Sequence, residues 1–549
     1  MRSRFGKEAA RALSFVLRDE RAILPMMGAY IAFGLAFILT DYTLNDEGLT
    51  TVVWANAIRH ETLAVLFFQK AKPVLAVLYA PGAVLGPRAA LATHLLVASL
   101  SIPLLERTAR ALQFELPNLP AIITALSPVY FLGGAAGLSN TDGVVGTCLF
   151  LYLLVARKKG LWAGIVLGAL PWVRHELALL VAIVLAATIL SHRSRRLVLG
   201  TVIFPCLYML AGAIYHRDAL WLLHYPPTTL FPMPNNPVWE PVSTGAILDN
   251  MSSLTPVVWL CFCARFGRMA WIERTLVPYC LGWLLLVGVL PVFRLANFGF
   301  SPRYLLQVLP VVALMSTRAL EPWLAGERIR RTDLLAPAVL ALLWGIAGFR
   351  HAAAVAPVLV GCGVVLYFAR QGQGTMATAS LVVLSLVGLC LPIRLGISRP
   401  ELGAYLPAMA SWLRDHPERG VRSVYTNSPL LSFYLEGTGR VHDVDVKFMM
   451  GVDQYYDVVE MSDAANGQRA ALRRMVLRDF YGHGVTPDDL RPESVPAGAI
   501  FALRRDSRLP MLLPEATWQR QLELLEEGAR YRIMRFAVSP APTNADTPH

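Results

Sequence analysis

Apolar residues along this chain come in long blocks rather than at the short periods of half-buried strands and helices. Blocks at 22–40, 119–137, 143–156, 161–173, 177–191, 197–215, 255–267, 275–293, 304–320, 333–349, 353–369 and 376–397 carry few charges, and short clusters of Arg and Lys stand between them. A helix needs ~20 apolar residues to cross a bilayer core, so the shorter blocks predict tilted, broken or buried helices. Residues 73–105 hold two further apolar pieces divided by Gly86-Pro87-Arg88. We read one crossing at 89–105 and a re-entrant or interfacial segment at 73–86, which gives about 13 transmembrane helices.

The basic clusters set the orientation. Arg2, Arg4, Lys7, Arg11, Arg18 and Arg21 precede the first block, and no small-residue cleavage site follows it, so a retained helix with a cytoplasmic N-terminus is expected. Arg107 with Arg110, Arg157-Lys158-Lys159, Arg193 to Arg196, Arg265 with Arg268, Arg328 to Arg331, and Arg370 then fall on the cytoplasmic side. An odd number of crossings puts the C-terminus outside. The external side receives residues 41–72, 139–142, 174–176, 216–255 and 294–303, and everything after Arg399. Residues 400–549 read as a soluble extracytoplasmic α/β domain: an amphipathic helix at 401–415, a strand at 421–426, a turn at Asn427-Ser428-Pro429, a helix to Leu435, and later Arg/Glu-rich helices. Residues 1–399 form the transmembrane domain.

Composition sharpens this picture. Of 549 residues, 55% are hydrophobic and 16% charged, against roughly 25% charged in a soluble domain. Disorder, a coiled coil and a secreted disulfide scaffold are excluded. The net charge of +12 does not signal nucleic-acid binding. From residue 401 onward there are 17 Lys+Arg and 20 Asp+Glu, leaving 33 basic and 18 acidic residues in the apolar part, where basic loops face the cytoplasm. The seven cysteines lie in or beside apolar stretches and imply no disulfide; Cys261-Phe-Cys263 lacks metal-site spacing.

Several polar residues stand on the expected external side. Asp46-Glu47 follows the first helix; read alone, the pair also suits a solvated cap. Lys72-Pro73 opens an apolar segment, a position that also suits a snorkelling lysine. Asp142 lies in a polar break, Gly137-Leu-Ser-Asn-Thr-Asp142-Gly143, where a carboxylate at membrane depth must face protein or water. Arg174-His175-Glu176 places three ionisable groups in a turn between two short helices, with a self-neutralising Arg174 to Glu176 pair as the plain alternative. Arg303-Tyr304 brings a guanidinium to the external end of a helix, where it fits a phosphate or an interfacial anchor.

The order of these pieces resembles the GT-C glycosyltransferases, in the branch of protein O-mannosyltransferases and aminoarabinose lipid A transferases. The matching pieces are Asp46-Glu47, the Lys72-Pro73 start of KPVLAVLYAPGAVLG, SNTDG at 139–143 and SPRYLLQVLP at 301–310, spread over roughly the first 310 residues. The chain departs at Lys72-Pro73-Val74-Leu75, where the family commonly has Lys-Pro-Pro-Leu, and at Arg174-His175-Glu176, where related members have Arg-Pro-Glu; the second departure leaves the role of His175 open.

The resemblance implies a polyprenyl-phosphate sugar donor and inverting transfer to a glycan, lipid or protein acceptor at the external membrane face; the Ala/Leu/Arg-rich composition points to a bacterial cytoplasmic membrane. It implies Asp46 as the base. Glu47 and Asp142 would orient hydroxyls, and Lys72 and Arg303 would stabilise the phosphate as its charge grows. Arg174, His175 and Glu176 join the expected binding set. No cofactor is expected; a divalent metal held by the carboxylates is the less favoured alternative. His442-Asp443-Val444-Asp445 has the D-x-D shape of nucleotide-sugar enzymes and reads instead as a surface strand end. The competing class is a secondary transporter or lipid-linked-glycan flippase using Asp142, Arg174 and Glu176 as its coupling site. A glycan ligase or polymerase of another fold is the third.

The topology is directly testable: a Ser428→Cys chain in intact cells is expected to react with a membrane-impermeant thiol reagent that does not label the unmodified protein. Labelling only after lysis would overturn both the orientation and the choice of active face.

Overall fold

The fold comes from a computed structural model that describes residues 14–39, 54–55, 58, 62–67, 72–224, 269–292, 302–324, 405–416, 423–426, 440–443, 498–504, 522–528 and 531–536. The expected blocks at 255–267, 333–349, 353–369 and 376–397, the turn at 427–429, and both Asp46 and Glu47 lie outside the described residues.

The helices used below are α1 (Ile23–Leu39), α2 (Pro73–Val84), α3 (Pro87–Ser99), α4 (Ser101–Ala111), α5 (Leu119–Ala125), α6 (Pro128–Ala136), α7 (Ser139–Leu151), α8 (Gly160–Ala169), α9 (Ala178–Leu190), α10 (Arg195–His216), α11 (Trp271–Val292), α12 (Leu309–Leu324) and α13 (Tyr405–Asp415). Four stretches are long and apolar enough to cross a membrane, by length and composition, among the described residues: Glu20–Leu39, Arg88–Ala111, Ser139–Ala156 and Arg195–His216. The segment expected at 73–86 is the twelve-residue α2, which is too short to span alone. The block at 119–137 is not one straight helix. It is α5 and α6, bent by 61°, because Pro128 disfavours a helical conformation at Ser127, whose extended backbone (ψ 118°) starts a new helix instead.

The chain divides into two compact units, one of 1–40, 91–211 and 231–398 and the other of 41–90, 212–230 and 399–549. In the first, α7 is the central helix, packed against α4, α6, α8, α12 and the 3₁₀ turn Pro302–Val308. Eleven of its thirteen residues are buried. The polar segment 139–142, expected as an external loop, is its first turn. Gly137, in the left-handed conformation (φ 74°), closes α6 and lets α7 begin two residues later.

The other end of the same bundle is held by charge. Arg318 on α12 donates to Glu273 of α11 at 2.9 Å and to the Leu112 carbonyl at 2.7 Å, and its guanidinium lies 3.8 Å from the Phe114 ring centroid. Glu321 accepts from the Leu116 amide at 3.1 Å. These contacts tie α11 and α12 to the α4–α5 connection.

In the second unit, Phe67 stacks on Tyr215 at 5.0 Å and Trp221 on His216 at 4.9 Å. The C-terminal part contains α13 and a five-stranded sheet of order β2-β1-β3-β5-β4, from β1 (Ser423–Thr426), β2 (Arg440–Asp443), β3 (Ile500–Arg504), β4 (Leu522–Glu527) and β5 (Tyr531–Phe536). β1 pairs in parallel with β2 and β3, whereas β5 runs antiparallel to β3 and β4. His442 and Asp443 end β2, an edge strand. The late Arg/Glu-rich segments were expected as helices, and 522–527 and 531–536 are strands. Their charges pair across the ladder, Arg535 with Glu523 and Arg532 with Glu527, so cross-strand pairing outweighs local helix preference.

The crossing of α8 and α10 depends on glycine. A Cβ on Gly164 would lie 2.3 Å from the Leu197 carbonyl oxygen, and one on Gly200 would lie 2.2 Å from that of Leu161, the close backbone approach that small residues permit between membrane helices. Gly164→Val is expected to destabilise the protein by ~1–3 kcal/mol, read as a lower unfolding temperature in detergent. Gly28→Ala, with nothing within 4 Å of the added carbon, is the neutral control.

Candidate functional site

Four successive polar residues open α7, and at about 100° per residue they fan out in different directions. Ser139, Asn140 and Thr141 have no exposed surface, and Asp142 is 5% exposed. Each therefore requires a partner on a neighbouring element or a ligand.

Ser139 meets Arg174, whose Nη1 donates to its hydroxyl at 3.0 Å. The rest of the Arg174 guanidinium grips Glu176 with two bonds, from Nε at 3.1 Å and Nη2 at 2.6 Å. The geometry follows from the break between α8 and α9: Arg174 is extended (φ −149°, ψ 122°), and a 3₁₀ turn, His175–Leu177, brings Glu176 back beneath it. Burial pushes the Glu176 carboxyl up, but the Arg174 charge and hydrogen bonds outweigh this and hold it below its ordinary value. The self-neutralising pair weighed from sequence is thus formed, and it is also tied to α7. His175 turns aside; its Nδ1 lies 3.1 Å from the Pro171 carbonyl oxygen.

Arg303 and Arg174 flank the same ring. The Arg174 guanidinium lies 5.8 Å from the Tyr304 centroid and that of Arg303 5.2 Å, within the range in which a ring face attracts a cation. The 3₁₀ turn Pro302–Val308 holding them is pinned by α11: the Trp283 indole donates to the Tyr304 carbonyl at 2.9 Å and the Tyr279 hydroxyl to that of Gln307 at 3.1 Å. Asp142, Arg174, Glu176 and Arg303, far apart in sequence, therefore meet around the head of α7.

Sequence reasoning missed His94. Its signal was a lone imidazole about two turns into an otherwise apolar stretch. His94 is 2% exposed; its Nδ1 lies 2.7 Å from the Gly134 carbonyl oxygen and its Nε2 lies 3.2 Å from Asp142 Oδ2. A carbonyl only accepts, so Nδ1 carries a hydrogen. A neutral ring protonated there would point a lone pair from Nε2 at the carboxylate. The contact therefore needs a proton on Nε2 or on Oδ2, and either arrangement makes the pair neutral as a whole. Asp142 adds no net negative charge to the site.

Lys72 belongs to the second unit. It is partly exposed and precedes Pro73 at the start of α2, with a left-handed backbone (φ 51°, ψ 73°) that is costly for a residue with a Cβ. Among the described residues no three His, Cys, Asp or Glu side chains come together as metal ligands.

No family model matches the chain, and no curated protein matches it. Solved structures do. The crystal structure of ArnT from Cupriavidus metallidurans in the apo state is 14% identical, with a TM-score of 0.52 over 94% of this chain and 98% of that one. The same protein bound to undecaprenyl phosphate is 12% identical, with a TM-score of 0.51 over 92% and 97%. The arabinofuranosyltransferase AftD from Mycobacteria is 15% identical, with a TM-score of 0.41 over 93% of this chain and 40% of its own length. At these identities the likeness is one of fold: the chain shares the helical fold of ArnT, and four of its described stretches are long and apolar enough to cross a membrane. That likeness to ArnT runs nearly end to end in both chains.

The His94 to Asp142 contact predicts a coupling. His94→Leu leaves the buried Asp142 carboxyl group without its imidazole partner and is expected to cost ~1–5 kcal/mol of stability; adding Asp142→Leu is expected to recover part of that loss. Thermal unfolding of the two single variants and the double variant in detergent measures it, and strictly additive effects would refute the pairing.

Proposed function

We propose that the protein is an inverting glycosyltransferase that moves a sugar from a polyprenyl-phosphate donor to a glycan, lipid or protein acceptor on the external face of a bacterial cytoplasmic membrane. The observation that carries this reading is the fold shared over 92% of the chain with ArnT bound to undecaprenyl phosphate. The buried polar cluster at the head of α7 supports it, because an apolar bundle retains such groups where a polar ligand is handled.

A sugar on a lipid phosphate is already activated, since the phosphate leaves once its charge is held. The protein must bind that phosphate, align an acceptor hydroxyl behind the anomeric carbon, and remove its proton. In this reading Asp46 is the base and Glu47 orients the acceptor. Lys72 and Arg303 hold the phosphate in both ground and transition states. Arg174, kept rigid by Glu176 and Ser139, fixes Tyr304 beside Arg303. The neutral His94–Asp142 pair offers sugar hydroxyls a polar surface without repelling the phosphate. His175, bound to its own turn, positions Arg174 and Glu176. The reaction uses no cofactor, the two cations taking over the charge a metal would neutralise.

Asp46→Asn keeps shape but removes the base, and is expected to lower turnover by roughly 10²- to 10⁴-fold while donor binding survives. Lys72→Ala is expected to weaken donor binding as well as turnover. Transfer from polyprenyl-phosphate sugars in nanodiscs, with binding measured separately, tests both. Near-normal turnover of Asp46→Asn would reject that residue as the base. No transfer from any such donor by the unmodified protein would favour the transporter reading.

A further inference from the structure

Two carboxamides beside the Arg303 turn have no part in the roles assigned above. Asn140 and Gln307 are both without exposed surface, and the nitrogen and oxygen of each side chain have no hydrogen-bond partner among the described residues. They belong to one place. Asn140 and Gly143 lie three residues apart on one face of α7, and the Gln307 carboxamide lies against Gly143, where an added Cβ would stand 2.4 Å from its Oε1. Gly143 thus makes room for the Gln307 amide on the face of α7 that also carries Asn140, and the Tyr279 hydroxyl holds the Gln307 backbone at 3.1 Å. Two carboxamides buried on this face without partners among the described residues are costly omissions in a packed bundle.

The chemistry of these atoms selects a ligand. Two amide nitrogens only donate and two amide oxygens only accept. A phosphate, which accepts but does not donate, would satisfy the nitrogens and leave the oxygens facing an anion. Neighbouring hydroxyl groups, each able to donate and accept, match all four. We infer that Asn140 and Gln307 form a hydroxyl-reading subsite that binds the sugar ring of the lipid-linked donor and determines which sugars are accepted. This rests on the proposed function, which supplies the donor, and adds to it the residues that distinguish sugar from phosphate. Gln307 lies about one turn past Arg303 along the 3₁₀ segment, so sugar and phosphate would be held by consecutive turns of one element.

The test separates the sugar's contribution from that of the phosphate. Affinities of the full-length protein in nanodiscs are measured for undecaprenyl phosphate and for its mannosyl, glucosyl and arabinofuranosyl esters. In the unmodified protein at least one ester is expected to bind ~10-fold or more tightly than the bare lipid phosphate, as a site of buried polar groups discriminates when its partners are missing. Asn140→Leu and Gln307→Met are expected to bring that ratio close to one while affinity for undecaprenyl phosphate stays unchanged. Gly143→Ala provides a milder variant, since the atoms nearest the added methyl are those at the end of the flexible Gln307 side chain, and is expected to reduce the ratio in the same way. A ratio retained in the folded variants overturns the subsite, as does bare lipid phosphate binding with no gain from any of the three sugars. Failure to bind either the lipid phosphate or its esters overturns the proposed function itself, and the subsite with it.

Discussion

The structure depends on the cost of burying polar groups in a bundle whose walls are apolar. The first turn of α7 is Ser-Asn-Thr-Asp, and packing against five other elements removes it from solvent. Without partners it would be among the least favourable turns in the protein. Arg174, His94 and the 3₁₀ turn 302–308 are drawn to this place by hydrogen bonds to α7 or close packing against it.

That requirement links distant parts of the chain. Arg174 is the product of a helix break, and its extended backbone lets one guanidinium reach both Glu176 and Ser139. Pairing within 174–176 removes most of the electrostatic cost locally, and the remaining donor fixes the turn to α7. A second polar layer, centred on Arg318 with Glu273 and Glu321, closes the other end of the bundle. Gln307 and Arg318 are eleven residues apart, about 16 Å of helix at 1.5 Å per residue. The apolar residues between the layers carry the packing, and the layers set the register of the helices.

Where expectation and structure differ, a competing local force explains it. Residues 119–137 have the hydropathy of one span, yet Ser127-Pro128 breaks them into a bent pair, with Ser127 capping the second helix. Residues 139–142 read as a loop because they are polar, but polarity alone does not end a helix; Gly137 ends the preceding one, and the polar residues fill the next first turn. In the C-terminal part, the Arg/Glu-rich composition around LELLEE and YRIMRF reads as helical. Pairing with β3 and with each other makes them strands, because strand preference follows neighbours more than the residues themselves.

Among the described residues, the sequence by itself determined the apolar character and most helix positions, since long apolar blocks report directly on burial away from water. It also pointed to Asp142, Arg174, Glu176 and Arg303, because charges in such surroundings are conspicuous. Only the tertiary structure decided what those charges meet. His94 approaches Asp142 from 48 positions away, Arg174 reaches Ser139 across 35, and Gln307 lies on Gly143 across 164. None of these pairings has a local pattern to announce it. They follow from which helix faces pack together, and in an apolar bundle that choice is set by the whole arrangement of neighbours.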